Sequence, residues 1–150
     1  MPSHTETRVL PYTPEQLYDL VAAVDRYPEF LPWCKASRIL SQSDIRMVAD
    51  LIIGYKIFHE KFRSDVTLQR PHEITVNYVS GPMAKLKNHW RFDAAPGGAC
   101  ALTFHVDFDF KSPFLQAAID AFFDKALRKM VEAFEMRAAT LYGRKGIDGG

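Results

Sequence analysis

Cys100-Ala101-Leu102-Thr103-Phe104-His105-Val106-Asp107-Phe108-Asp109-Phe110-Lys111-Ser112-Pro113 decides the architecture. Cys100, Leu102, Phe104, Val106, Phe108 and Phe110 fall on one side of an extended chain, and Ala101, Thr103, His105, Asp107 and Asp109 on the other. That is the period-two pattern of a strand with one dry and one wet face. Ser112-Pro113 then supplies a helix cap followed by proline at the first helical position, and no further proline or glycine occurs before Gly143. The spacing predicts one helix of about 30 residues, some 45 Å long. Its expected apolar face is Leu115, Ile119, Phe122, Ala126, Met130, Phe134 and Leu141, widened by Phe123, Leu127 and Val131; Asp120, Asp124, Arg128 and Glu132 form a solvated ladder.

Upstream, the alternation repeats in Leu86, Asn88, Trp90 and Phe92, in Ile74, Val76 and Tyr78, and in Phe58, Phe62, Val66 and Leu68. Turn chemistry separates these runs at Ser41–Asp44, Arg70-Pro71-His72, Ser80-Gly81-Pro82 and Ala95-Pro96-Gly97-Gly98. A meander with one apolar face needs a single covering layer, and the terminal helix is the element to supply it. Near the start, a strand over Glu6–Leu10 precedes Thr13-Pro14-Glu15-Gln16, a capping box with proline at N1. Leu17, Leu20, Val21 and Val24 give that helix one buried stripe before the aromatic, proline-marked segment 25–34, read as a second short helix or turn.

At 150 residues with 47% hydrophobic, 25% charged and 13% aromatic content, the chain suits one domain, assigned to 1–142 with a disordered tail at 143–150. Nineteen basic and eighteen acidic residues leave a formal charge of +1, without the excess of a general DNA binder. Cys34 and Cys100 make no C-x-x-C pair and read as reduced, buried thiols of a cytoplasmic protein. There is no signal-like amino terminus and no apolar run long enough to span a bilayer.

No nucleophile elbow, Walker loop, zincin word or dinucleotide fingerprint occurs, so no catalytic residue is assigned. His59, His89 and His105 lie on polar strand faces without metal-ligand spacing, and no metal is expected. The informative exceptions are Glu60, between Phe58 and Phe62, and Asn88, between Leu86 and Trp90, both in inward registers. Either a bulge near Gly54 turns Glu60 outward or an Arg or Lys partner neutralises it, or the two groups address the polar end of a ligand in an otherwise apolar cavity.

Three words carry a family resemblance: Val21-Ala22-Ala23-Val24-Asp25-Arg26-Tyr27-Pro28-Glu29-Phe30-Leu31-Pro32-Trp33-Cys34, Phe62-Arg63-Ser64-Asp65-Val66-Thr67-Leu68, and Ser80-Gly81-Pro82-Met83-Ala84-Lys85-Leu86 followed by Trp90-Arg91-Phe92. With the element order they make the chain, from about Thr5 to Tyr142, resemble the START-like helix-grip superfamily. The similarity is to its coenzyme Q-binding branch in the polyketide cyclase/dehydrase family, which also holds ribosome-association toxins. Met83 stands where related sequences commonly have phenylalanine, an equivalent apolar filler.

The resemblance implies an α+β fold in which a curved antiparallel sheet, six strands of it a meander, grips a long carboxy-terminal helix around a lipophilic cavity. The expected cavity residues are Phe58, Glu60, Phe62, Asn88, Trp90, Phe104, Val106, Phe108, Ile119, Phe122 and Met130. Leu31, Pro32, Trp33, Pro82 and Met83 are expected at an entrance, or else as ordinary caps of the core. Ubiquinone or a related polyprenyl quinone is the implied ligand, with no cofactor required. The implied role is a carrier or chaperone for respiration, cytoplasmic and in transient contact with the inner membrane through Lys85 and Lys87. The alternatives are a protein that binds ribosomal subunits and, third, an aromatase/cyclase-type enzyme using Glu60 as acid or base.

Overall fold

The computed structural model describes residues 3–31, 33–55, 58–121 and 123–143. Strand β1 (Ser3–Leu10) leads into α1 (Pro14–Ala22) and a 3-10 turn (Val24–Glu29). Six strands follow in sequence: β2 (Cys34–Gln42), β3 (Arg46–Tyr55), β4 (Phe58–Gln69), β5 (Glu73–Ser80), β6 (Met83–Ala95) and β7 (Ala99–Phe110). The chain closes with α2 (Pro113–Asp120) and α3 (Phe123–Tyr142). The seven strands form one antiparallel sheet in the order β1-β7-β6-β5-β4-β3-β2. The meander expected from the turn words is present, with β1 added against β7.

The capping box at the start of α1 forms as its residue order demands: Gln16 N–H donates to Thr13 Oγ1 at 3.1 Å and Thr13 N–H to Gln16 Oε1 at 3.0 Å. Leu17, Leu20 and Val21 are then buried, joined by Tyr18 stacked edge-on to Phe92. On the far face of the sheet, charged side chains pair across strands. Arg46 and Arg63 each make two hydrogen bonds to a carboxylate, of Asp65 and Asp50 respectively. One face therefore meets water and the other carries the core, as the alternation requires.

The single long terminal helix is corrected to two, of eight and twenty residues. No proline or glycine marks the break. Leu115, Ile119, Phe123 and Leu127 follow one another in steps of four, which in one continuous helix of 3.6 residues per turn would rotate the apolar stripe by about 40° each. The buried line of α3 is Leu127, Phe134 and Ala138, flanked by Phe123 and Met130, whereas Leu141, expected on the apolar face, is 49% exposed. Asp120, Asp124, Arg128 and Glu132 are exposed as expected. Arg8 to Glu135 and Tyr142 Oη–H to the Gln16 carbonyl tie α3 to β1 and α1.

Candidate functional site

Between the concave sheet face and the helices lies a cavity of about 340 Å³, within the size range of small-molecule sites. Its floor is a grid of inward residues set by strand register. Met47, Ala49 and Leu51 of β3 stand opposite Val66, Ser64 and Phe62 of β4, with Ile53 next along β3; Val76 joins Val66 to Asn88, and Asn88 stands opposite Val106. Leu127, Met130 and Phe134 of α3 and Val21, Val24 and Tyr27 form the roof. Ring contacts knit the walls: Trp90 lies 4.6 Å from Phe104 and 5.3 Å from Phe134, and Phe108 4.8 Å from Phe123. No Asp, Glu, His, Lys or Arg is among the described lining residues.

Polar groups on the wall are few. Tyr27 donates its hydroxyl to the Val21 carbonyl, and burial pushes its pKa well above the ordinary phenol value. Asn88 is committed twice: its Nδ2 donates to the His105 carbonyl and its Oδ1 accepts the Trp90 indole N–H, both at 2.9 Å. One of its two amide hydrogens remains. Ser64 is 5% exposed and lines the cavity. Among the described residues its hydroxyl has no hydrogen-bond partner.

The lining residues grade from closed to open. Met47, Ile74 and Val21 are 1–3% exposed, whereas Ile53, Phe62, Phe110, Ile119 and Phe123 are half-buried. At that second end four chain segments are tied in two pairs. Gly54 N–H donates to the Trp33 carbonyl at 2.8 Å, and Lys111 N–H to the Pro82 carbonyl at 3.0 Å. Gly81, at φ +143°, lies so close to the Lys61 carbonyl that a Cβ would sit 2.8 Å from it, so only glycine fits this turn.

A family model described as "Polyketide cyclase / dehydrase and lipid transport" matches residues 10–135. The chain belongs to this family. Within it, the ribosome association toxin RatA of Pseudomonas aeruginosa is 38% identical over 144 residues, covering 95% of this chain and 100% of the relative. The mitochondrial coenzyme Q-binding protein COQ10 homolog B of Xenopus laevis is 35% identical over 151 residues, covering 96% of this chain and 61% of the relative. A START superfamily protein from Mycobacterium smegmatis superposes with a TM-score of 0.79 at 16% identity, covering 93% of this chain and 98% of that one. The fold is thus the START-like helix grip.

On this family scaffold the expected residues divide. Phe62, Asn88, Trp90, Phe104, Val106, Phe108, Ile119 and Met130 all line the cavity. Glu60 does not: it stands on the inward register opposite Ile53, half-buried beyond the lining residues, with no hydrogen-bond or ion-pair partner among the described residues. The β3–β4 pairing runs from Arg46 to Phe58 without a register shift, so neither the expected bulge near Gly54 nor a basic partner accounts for Glu60. Its place at the open end, where water reaches it, does. At the expected entrance, Trp33 is half-buried and lines the cavity, and Pro82 is half-buried in the rim. Leu31 and Met83, at 7% and 4% exposure, are corrected from entrance to wall. Pro32, Phe122, the side chain of Phe58 and the tail from 144 lie outside the described residues.

Sequence reasoning misses Ser64, which stands in the sequence only as one residue of a family word. A lone hydroxyl between Phe62 and Val66 was the available signal. It also missed the β3 wall, Met47 to Ile53, because that strand alternates less regularly than its neighbours. His105 is held on the outer face by Thr5 and Asp107, His89 lies 3.4 Å from Glu73, and none of the histidines lines the cavity. Both cysteines are buried and unbridged, and burial pushes the Cys100 thiol up to about 11.

Proposed function

We propose that the chain binds a neutral polyprenyl quinone, ubiquinone or a close relative, and carries it to or from membranes in support of respiration. The observation that carries this reading is a cavity of about 340 Å³ whose described walls hold no charged side chain. A phosphate or carboxylate headgroup inside it would be buried without a partner, at prohibitive cost. A quinone ring brings only carbonyl and ether acceptors, and each isoprenoid CH₂ buried contributes about 0.8 kcal/mol. The coenzyme Q-binding name of the Xenopus relative supports the same choice. No cofactor is needed for such a role. The lack of a lining acid or base disfavours cyclase chemistry, which requires proton transfer within the site.

Delivery to a membrane runs through the rim at Trp33 and Pro82. Lys85 and Lys87 contribute little, because on β6 they stand opposite Asp109 and Asp107 of β7. Among the described residues no helix is long and apolar enough to cross a bilayer.

A second reading, association with ribosomal subunits, is favoured by the names of relatives 34–38% identical that match nearly the whole chain. Purification from cells, with organic extraction and mass spectrometry of the protein fraction alongside ribosome co-sedimentation, separates the two. Stoichiometric quinone supports the carrier; co-sedimentation without lipid supports the ribosomal role.

A further inference from the structure

Ser64 lines the cavity with a hydroxyl that the described protein leaves unused. Its residue is 95% removed from solvent, its surroundings are apolar, and among the described residues nothing accepts from or donates to its hydroxyl. Its oxygen is not one of the fully buried, partnerless atoms of the described protein, so the little surface the residue keeps opens onto the cavity it lines, where a bound acceptor can reach the hydroxyl. The backbone around it is specialised as well. Ser64 pairs with Tyr78 while Arg63 pairs with Ser80, so the β4–β5 ladder slips at this residue and leaves Val79 unpaired. Such bulges re-aim side chains. On the other flank the residue opposite is Ala49, the smallest on the β3 wall, which leaves room above the hydroxyl.

The second uncommitted donor on the floor is the remaining amide hydrogen of Asn88. Register fixes its relation to Ser64: Asn88, Val76 and Val66 form one row across β6, β5 and β4, and Ser64 lies two residues along β4 from Val66. Two strand spacings and two residue rises put their Cα atoms about 12 Å apart. A flat ring whose para oxygens stand about 5 Å apart, with a hydrogen bond of about 2.8 Å at either end, spans about 11 Å. Val66 and Val76 would lie beneath such a ring.

We infer that Ser64 is a ligand-binding residue whose hydroxyl, with the free amide hydrogen of Asn88, grips the two opposed carbonyls of a para-quinone ring lying across Val66 and Val76. This rests on the cavity reading above and names its headgroup subsite. Asn88 is also structural, so Ser64 is the residue to test.

The probes are decylubiquinone and decylbenzene, which share a tail but differ in ring oxygens, measured by equilibrium dialysis against wild type and Ser64→Ala. Ser64→Ala weakens decylubiquinone about 3- to 10-fold, the effect of one hydrogen bond, and leaves decylbenzene within twofold. Without ligand it melts close to wild type, because the hydroxyl makes no hydrogen bond within the described protein. Unchanged decylubiquinone binding, equal weakening of both probes, or a lowered melting temperature would each overturn the role of Ser64 while leaving the cavity as a binding site. Failure of wild type to bind either probe would overturn the cavity reading itself, and this inference with it.

Discussion

Replacing Asn88 by leucine exposes what that amide does when no ligand is present. Its side chain holds the Trp90 indole N–H and the His105 carbonyl, each at 2.9 Å, and Trp90 is only 6% exposed. Asn88→Leu therefore orphans a buried donor, at about 1–3 kcal/mol, while the new methyl groups regain part of that by apolar burial. The net expectation is a loss of about 1–2 kcal/mol, or roughly 2–8 °C in melting temperature for a domain of this size. The discriminating assay is a double-mutant cycle with Trp90→Phe, measured by denaturant unfolding. In the Trp90→Phe background there is no indole N–H to orphan, so Asn88→Leu should cost about 1 kcal/mol less than in wild type. A coupling below about 0.3 kcal/mol, within ordinary additivity, would refute the claim that Asn88 is anchored by Trp90.

Val106, at 8% exposure beside Asn88 on the cavity floor, tests the void: Val106→Phe should hold or raise the melting temperature by filling empty space and weaken short-chain quinone binding at least tenfold in dialysis. Because Trp33 is half-buried at the rim, Trp33→Ala should cost less than the ~3–5 kcal/mol of a fully buried aromatic truncation yet slow quinone transfer to liposomes severalfold; normal transfer would remove it from the route. The hydrogen bonds from Arg63 hold Asp50 below its ordinary value of 3.8. The stability Asp50 contributes is thus full above about pH 4 and disappears as pH falls through its lower folded value. Urea titrations of wild type and Asp50→Asn from pH 7 to pH 2 should converge only at the acid end.

The strands announced themselves wherever one face is dry and the other wet: Cys100–Phe110 alternates because His105, Asp107 and Asp109 meet water while Phe104, Val106 and Phe108 do not. Four of the five hairpin reversals were legible from proline, glycine or serine words. The fifth, between Tyr55 and Phe58, carries no such word, and β3 and β4 merge in the sequence. The division of the terminal helix into α2 and α3 was hidden because no proline or glycine between Pro113 and Gly143 marks it. At the site, large apolar residues were legible from their period and the polar pair only in part. Asn88 stood out by its bulk and hydrogen-bonding capacity. Ser64 did not, since a serine in a strand is unremarkable until its burial and lack of partners are known.

Both tryptophans of the chain, Trp33 and Trp90, line the cavity, so intrinsic fluorescence reports directly on its contents. Titration of the delipidated protein with a short-chain ubiquinone should give saturable quenching at one equivalent, abolished in Val106→Phe and unaffected by ribosomal subunits. Quenching that stays linear in quinone concentration, identical for wild type and Val106→Phe, would contradict a quinone site between the sheet and the helices.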